Sequence, residues 1–440
     1  MSSCIYLHHF CFTFFLSCLH NCAYLSFSWQ YKSIHAMEKN VDRISDLPDS
    51  LLLSIISSLP TTYAVSTSIL SRRWKDIWVY TPYLDFDENH FITTHRLPLE
   101  STVRSRFVDF VHCALLHYKG DKLSTFRLWI SYRSEHYVYI DQWIGFLIKR
   151  RVQELDLDLW GGGIDKNSHN GLWPYELPNY FFTYGLLSVL KLNFCTFKPP
   201  FFKIFALLKT LSLTRVELSS ELFLKVMTSC LVLEILHLER CYDLKHLKIS
   251  DSNLRLERLT INQCRPLSEG IDICTPKLRS FKYFGHVVSF HIEKMPCLHD
   301  VVLDFGLRQF NDTKFGKLLT DLDHVKDLTI CSHIIQGFMR TEFLDMSNFN
   351  HSYWGSQHRA FDCMLHNLKS VDITGITGWK NEIELLEYII KNAMVLEKLI
   401  INLPKDITSH EANSIISRLQ KVIDCAKGLY KCRNINLQIF

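Results

Sequence analysis

Apolar side chains recur every three or four residues in the segment 42–82, as they do along one side of a helix. Asp46 is a candidate N-cap, Pro48 fits the first turn of this helix, and Pro60 ends it about three turns later. Two neighbouring stripes of the helix are apolar, one made by Leu51 and Ile55 and the other by Leu52, Ile56 and Leu59. The apolar surface is therefore wider than a single buried seam needs.

Two further short helices are predicted after the first. Thr61 or Thr62 can cap a helix that carries Val65 and Ile69, four residues apart. Ser71 can cap another helix. Its apolar residues at i, i+3 and i+4 are Trp74, Ile77 and Trp78. Because a unit of this length buries too little surface to be stable alone, the excess of Leu, Ile and Trp indicates a permanent partner or docking on the next domain.

Further along the chain the apolar residues alternate, and a leucine-rich template, L-x-x-L-x-L-x-x-N/C, recurs. The sharpest copies begin at Leu187, Leu233 and Leu256. Weaker copies begin at Val152, Leu208, Leu278, Leu298, Val325, Leu368 and Leu396. In the three sharpest copies the last template position is Cys195, Cys241 and Cys264. Each copy predicts a short parallel strand whose apolar residues point inward, and the cysteines fit a buried turn position.

Residues that flank the inward leucines face the other side of the predicted strands, and this concave side is where solenoids bind extended partners. The candidates for binding a protein substrate are Glu154, Asp156, Asp158, His237, Glu239, Arg258 and Asp300. The first repeat is acidic, which favours a partner with a basic segment, although an ordinary solvated strand face fits the pattern as well.

Helical periods also flank the repeats. The segment 103–118 has one, and Gly120 follows as a C-cap, so we expect this helix to cover the open end of the repeats. The segment 366–404 predicts strand, turn, helix and strand, which by periodicity alone are the last repeats and a cap.

The order LP-x-x-L-x-x-x-I-x-x-x-LP, followed by A-V-x-T-S-I-L-S-R-R-W-K-x-x-W, resembles a plant F-box without gaps. The residues at F-box positions are Leu47, Pro48, Leu51, Ile55, Leu59, Pro60, Val65, Leu70, Trp74 and Trp78. The resemblance implies that some of them bind the adaptor Skp and others pack the motif. It also implies a non-catalytic substrate-recognition subunit of a Skp–cullin–F-box ubiquitin ligase, whose repeats hold a protein substrate of unknown identity.

The C-terminal part of the chain resembles the FBD module that ends many plant F-box/leucine-rich-repeat proteins. The two resemblances imply an α/β fold: a three-helix F-box, then a leucine-rich-repeat solenoid with parallel strands on its concave face, then an FBD-type cap. The predicted domains are an apolar extension (1–36), the F-box (41–82), a linker with a capping helix (83–120), leucine-rich repeats (121–360) and the FBD-like module (361–435).

Two departures from the F-box pattern leave alternatives open. Ser50 stands where family members usually carry an acidic residue, and Thr62 and Tyr63 stand where a basic-acidic pair is common. One alternative is a leucine-rich-repeat scaffold with a decayed F-box, or a hairpin that only packs on the next domain. More remote ones are a membrane-routed form that uses residues 1–36 and a hormone co-receptor, which some plant members of this class are.

Residues 1–36 contain no Lys, Arg, Asp or Glu before Lys32. Their apolar stretch is too short and too interrupted to span a membrane. The cysteines and histidines of this extension are Cys4, His8, His9, Cys11, Cys18, His20 and Cys22, and their spacing predicts no metal site. Since Met37 directly precedes the F-box pattern, we interpret the extension as an upstream artefact of the gene model.

Composition narrows the classes of function. The 49 basic and 45 acidic residues leave a net charge of +4 without a basic stripe, which argues against nucleic-acid or membrane binding. The remaining cysteines form no paired framework, which favours the nucleus or cytoplasm. No local signature of a catalytic site, a metal site or a cofactor site occurs, so we expect neither catalysis nor a cofactor.

Overall fold

The chain forms two compact units, Met1–Leu208 and Lys209–Phe440, which we call unit 1 and unit 2 and describe one at a time. The computed structural model describes residues 44–94, 101–160, 173–199, 205–286, 288–293, 295–305, 312–331, 354, 360–378, 380–404, 407–430 and 435–440. The predictions made for residues 1–36 lie outside this part of the chain.

Unit 1 starts with two short helices, α1 (Asp49–Ser57) and α2 (Thr61–Ser66). Pro48 and Pro60 occupy their N-cap positions, and neither helix has a side-chain cap, so the predicted caps at Asp46 and at a threonine after Pro60 were wrong. A proline has extended backbone before a helix and no N–H of its own, so it can end one segment and begin the next directly. The two threonines lie buried inside α2 instead.

The predicted third helix is replaced by single turns of 3₁₀-helix. Two turns, Trp74–Asp76 and Trp78–Tyr80, lie where the third helix was predicted, and another, Thr67–Ile69, follows α2 where the second helix was expected to continue. The Trp74 amide still donates to the Ser71 hydroxyl, at 3.5 Å, as expected of a cap. Short turns let both tryptophans point into the interior of the hairpin, where each is almost fully buried.

The remainder of unit 1 alternates strands with helices. The strands are β1 (Tyr83–Asp87), β2 (Thr125–Trp129), β3 (Glu154–Asp158), β4 (Tyr175–Glu176), β5 (Val189–Asn193) and β6 (Cys195–Thr196). The helices are α3 (Glu88–Thr94), α4 (Ser101–His117) and α5 (Tyr137–Lys149). Strands β1, β2, β3 and β5 pair in parallel and in register, and β4 pairs with β6 beside them. The helix expected at 103–118 is α4, and the segment expected as a linker also supplies β1.

Alternation along these strands sorts side chains to two sides. The inward residues, all buried, are Leu84 and Phe86, Phe126 and Leu128, Leu155 and Leu157, and Leu190 and Leu192. The residues between and beside them are half-buried or exposed. The inward and outward sets that the leucine template predicts for β3 and β5 are therefore confirmed.

Unit 2 repeats this arrangement. Its larger set of parallel strands is β7 (Thr210–Thr214), β8 (Ile235–Glu239), β10 (Arg258–Asn262), β12 (Ser280–Phe284), β14 (Asp300–Asp304), β15 (Asp327–Cys331), β16 (Ser370–Thr374), β17 (Lys398–Asn402) and β18 (Asn436–Ile439). A second parallel sheet contains β9 (Leu244–Ile249), β11 (Pro266–Ile273) and β13 (Phe290–Ile292). The helices are α6 (Ser220–Ser229), α7 (Asp312–Asp321), α8 (Asp362–His366), α9 (Lys380–Asn392) and α10 (Ser409–Tyr430).

The repeat template locates these strands accurately. Each predicted repeat start lies two residues before a strand, from Val152 before β3 to Leu396 before β17. The cysteines at the last template position are buried, as predicted, and each thiol points to the carbonyl oxygen two residues earlier, 3.6–3.8 Å away. The residue before each cysteine has a positive φ of 50–61° and turns the chain inward. Burial raises the pKa of the Cys195 thiol, which keeps that thiol protonated.

Within the described ranges, no helix is both long enough and apolar enough to cross a membrane.

Candidate interaction surfaces

The helical hairpin of unit 1 leaves a set of large aliphatic side chains in solvent. Leu51, Ile55, Ile69 and Leu70 are each between 44% and 58% exposed. Leu52 and Ile56, on the other stripe of α1, are buried. The first helix therefore uses one apolar stripe for its own core and presents the second outward, as its two-stripe pattern indicates.

The structure sorts the predicted F-box positions into three groups. Val65, Trp74 and Trp78 are buried and pack the motif. Leu47, Leu59 and Pro60 are partly buried. The exposed positions are Pro48, Leu51, Ile55 and Leu70. Exposure makes this last group available for contact with a partner. Ile69, which the ten predicted F-box positions leave out, is exposed beside them.

Arg73 ties the ends of the hairpin together, and the sequence analysis did not single it out. Its guanidinium donates to the Asp49 carboxylate at 2.7 Å and to the carbonyl oxygens of Ser45 and Leu47. The indole N–H of Trp74 donates to the Ser45 hydroxyl at 2.8 Å. These bonds hold the entry segment against the turns, so α1 and its exposed stripe have a fixed orientation within the hairpin.

The two departures from the family pattern occupy different environments. Ser50 is exposed on α1. Thr62 is buried, while the Tyr63 ring lies in the surface with its centroid 4.9 Å from that of His90. Ser50 therefore lies on the surface that is available to a partner, whereas Thr62 packs in the interior of the hairpin.

The outward side of the unit 1 strands carries a row of charges with alternating sign. Asp85, Arg127, Asp156 and Lys191 occupy matching positions on β1, β2, β3 and β5. The Asp156 carboxylate lies 3.6 Å from the Arg127 guanidinium and 3.4 Å from the Lys191 ammonium. Arg127 is also 4.0 Å from Asp85, and it donates to the Tyr83 hydroxyl at 3.2 Å. We call these four residues the paired row.

This geometry corrects the predicted acidic character of the first repeat. Asp156 is neutralised by cations on both sides. Asp158 accepts from the Asn193 side-chain amide at 2.9 Å and Glu154 from the Thr125 hydroxyl at 3.1 Å. One of the neutralising cations, Arg127, lies on a strand that the sequence pattern did not identify. A role for Glu154, Asp156 and Asp158 in substrate binding remains a prediction.

The predicted residues of unit 2 also lie on the outward side of their strands. The His237 imidazole is 3.4 Å from the Glu239 carboxylate on the same strand. Arg258 is exposed and, two strands further on, Asp300 accepts from the Ser280 hydroxyl at 2.6 Å. Arg258, Ser280 and Asp300 occupy matching positions on adjacent strands.

These surfaces consist of exposed apolar and charged side chains, which are suited to recognition of a partner. In the part of the chain that the structure describes, no group of three or more His, Cys, Asp or Glu residues is arranged to hold a metal ion. Two buried carboxylates accept hydrogen bonds from backbone amides: Glu88 from the Ser131 amide and Glu382 from the Thr377 amide.

A helical hairpin with an outward apolar stripe, followed by leucine-lined parallel strands, defines a leucine-rich-repeat protein with a helical docking motif.

Comparison with known proteins identifies the parts of the chain. Residues 44–83 match the F-box domain, residues 116–364 match the LRR domain described as At1g61320/AtMIF1, and residues 357–401 match FBD. The chain belongs to the plant family of F-box/FBD/LRR-repeat proteins, with a mixed α/β fold of N-terminal helices and parallel strands.

Relatives from Arabidopsis thaliana have names that contain F-box, alone or together with LRR-repeat. F-box protein At3g62230 is 24% identical, over 91% of this chain and 98% of its own length. F-box/LRR-repeat protein 25 is 31% identical, over 52% of this chain and 78% of its own length. The F-box/LRR-repeat protein At3g18150 is 29% identical, over 68% of this chain, and the alignment covers 62% of that relative.

Proposed function

We propose that this chain is the substrate-recognition subunit of a Skp–cullin–F-box ubiquitin ligase, and that α1 and the turn after α2 bind Skp. The observation that carries the proposal is the outward stripe of Leu51, Ile55, Ile69 and Leu70. Each of these side chains is about half exposed, so its burial against a partner contributes about 0.7–1.5 kcal/mol, and burial of several together favours a complex. The F-box match over residues 44–83 supports the same assignment.

In this proposal the chain itself performs no chemistry. The strands of the repeats hold a protein substrate, and Skp connects the chain to a cullin. Holding the substrate beside the subunits that transfer ubiquitin raises its effective concentration there. Such a role places the protein in the nucleus or cytoplasm, and fractionation of tagged full-length chain tests that location.

The direct test is a pull-down of the full chain with purified Skp and cullin. The informative variant is Leu51→Asp with Leu70→Asp, because both side chains are exposed and neither packs the hairpin. Trp78→Ala is not informative, since Trp78 is 3% exposed and its loss would damage the fold. Leu116→Asp is the matched control: it is 57% exposed and lies on α4, outside the F-box.

We expect the parent chain and the Leu116→Asp variant to bind Skp, and the double variant to lose binding while keeping its melting temperature. Failure of the parent chain to bind would overturn the ligase proposal and favour a leucine-rich-repeat scaffold. Equal binding by all three proteins would show that the outward stripe is not the Skp surface.

A further inference from the structure

The outward side of unit 2 carries cations and anions that lie on separate strands. Arg258 on β10 and Lys282 on β12 lie on adjacent strands, and Asp300 on β14 is paired in register with Asp327 on β15. Within the described part of unit 2, none of these four side chains lies within 4.0 Å of an opposite charge; the Lys369 ammonium, which is paired with Glu397 at 2.6 Å, interacts electrostatically with Asp327 from beyond that distance. We call the four side chains the charge-split face, because its two cations and its two anions lie on separate pairs of strands.

Such an arrangement is unfavourable for the free protein. Like charges placed directly opposite each other on neighbouring strands disfavour the fold, and Asp300 and Asp327 stand in register in this way. The hydroxyl of Ser280 donates to Asp300 but brings no positive charge. A bound partner with opposite charges at both ends would remove the repulsion, so the face is complementary to a ligand rather than to itself.

Two apolar side chains lie beside the charges on the same face. Val302 is paired in register with Lys282, and Phe284 follows at the next outward position of β12. Both are half-buried at outward positions of their strands. A peptide that crosses the strands can contact these two side chains between the cations and the anions. Packed contacts of this kind carry much of the binding energy of an interface.

The spacing of the charges sets the partner's pattern. Adjacent strands lie about 4.8 Å apart, so two strands separate Arg258 from Asp300 by about 10 Å. A peptide in polyproline II conformation rises about 3.1 Å per residue and has three residues per turn, so side chains three positions apart lie on the same side of the peptide, about 9 Å from each other. The acidic pair would repel phosphate groups, so the same face is unsuited to nucleic acid or an anionic membrane.

We infer that the charge-split face binds a peptide segment in polyproline II conformation that carries one acidic and one basic residue three positions apart. The acidic side chain lies over Arg258 and Lys282, and the basic one over Asp300 and Asp327. The inference rests on the proposed substrate-recognition function and names the chemistry of the substrate segment for it.

The test measures binding of the full chain to immobilised nonapeptides of three classes. Each peptide has a Pro/Ala background, which favours polyproline II conformation, and two charged residues three positions apart: Glu with Lys, two Glu, or two Lys. Two double variants give all four side chains of the face the same charge. Asp300→Lys with Asp327→Lys makes the face all cationic, and Arg258→Glu with Lys282→Glu makes it all anionic. The control, Glu387→Lys with Asp424→Lys, changes the net charge as the first variant does but on exposed helix positions of unit 2.

We expect the parent and the control to prefer the mixed peptides by about tenfold. The all-cationic variant should prefer the double-Glu peptides and the all-anionic variant the double-Lys peptides. Circular dichroism and a thermal melt confirm that each variant is folded. A parent chain without preference for the mixed class, or variants with the parent's preference, would overturn the inference.

A Skp pull-down of the same proteins separates the two proposals. If all of them bind Skp but the parent selects no mixed peptide, only the inference about the charge-split face fails. If the parent selects mixed peptides but does not bind Skp, the face is a peptide-binding site and the ligase proposal fails.

Discussion

The paired row of unit 1 and the charge-split face of unit 2 lie on the same kind of parallel, in-register strands but arrange their charges in opposite ways. In unit 1 the paired row places each charged side chain beside one of opposite sign. In unit 2 the charge-split face places Asp300 beside Asp327 and keeps the cations on other strands. The difference shows that a repeat fold sets where outward side chains lie, while the residues chosen there decide whether the face is satisfied by itself or by a partner.

This contrast also bears on which face binds substrate. Each exposed ion pair of the paired row is worth about 0–1 kcal/mol, but a ligand that used Asp156 would have to displace both of its cations. No such displacement is needed at Arg258 or Asp300. Of the outward residues chosen from the sequence, we therefore expect those of unit 2 to contribute more to binding than those of unit 1.

The contrast between the outward faces holds if the inward sides of the two units are equally well packed. Removal of one large inward side chain from each unit tests this packing. Phe126 on β2 and Phe281 on β12 are both 0% exposed. Phe126→Ala and Phe281→Ala should each lower the free energy of unfolding by about 3–5 kcal/mol, through lost burial and the cavity left behind. Urea titration of the full chain measures both. The controls are two outward positions, Arg127→Ala, which is exposed, and Lys282→Ala, which is half-buried.

A cost much below this range in one unit only would mean that its inward side is loosely packed. The contrast between the outward faces would then reflect different cores and not different charges.

Much of the fold follows from the sequence, because the leucine template records which side chains are buried. It located every strand for which it predicted a repeat, and it placed Cys195, Cys241 and Cys264 correctly in buried turns. It missed β2, where Phe126 stands at a leucine position, and β1, where Thr81 stands at the first template position. It also missed β18, which follows helix α10.

The candidate sites were less predictable, since charge pairing depends on residues that are distant in sequence. Asp156 is neutralised by Arg127 on the preceding strand and by Lys191 on the next strand. The leucine template did not predict the strand that carries Arg127, so this pairing could not be read from the sequence.

The F-box pattern identified ten positions, but their division into packing and exposed residues needed the structure. The caps failed because Pro48 and Pro60 start the helices without side-chain help.

A charge reversal in the paired row should have the next largest effect. Asp156→Lys removes two attractions and places a cation between Arg127 and Lys191. We expect the free energy of unfolding to fall by about 1–2 kcal/mol, a moderate value because both neighbouring cations are about half exposed and screened by water. Thermal and urea unfolding at low salt measure it, with Asp121→Lys as a control on an exposed loop residue.

Because the effect is electrostatic, about 1 M salt should remove most of the difference between Asp156→Lys and the parent. A loss that persists at high salt would instead indicate a packing defect in β3, and the paired row would then contribute little to the stability of unit 1.

The smallest effect, and the sharpest comparison, comes from one substitution made in both faces. Asp300→Asn removes the like charge beside Asp327 and retains an oxygen that accepts from the Ser280 hydroxyl. We expect it to raise the free energy of unfolding by about 0.2–0.5 kcal/mol, whereas Asp156→Asn should lower it by about 0.2–1 kcal/mol. Urea titrations at low and high salt, run side by side, compare the two.

The change of Asp to Asn should shift the free energy of unfolding in opposite directions in the two faces, because Asp156 is attracted by its neighbours and Asp300 is repelled by Asp327. If Asp300→Asn instead destabilised the protein, Asp300 would have a compensating cation in solution, and the charge-split face would be satisfied without a ligand. A gain in stability together with weaker binding of mixed peptides would show that unit 2 keeps this carboxylate for recognition, at a measurable cost to its own fold.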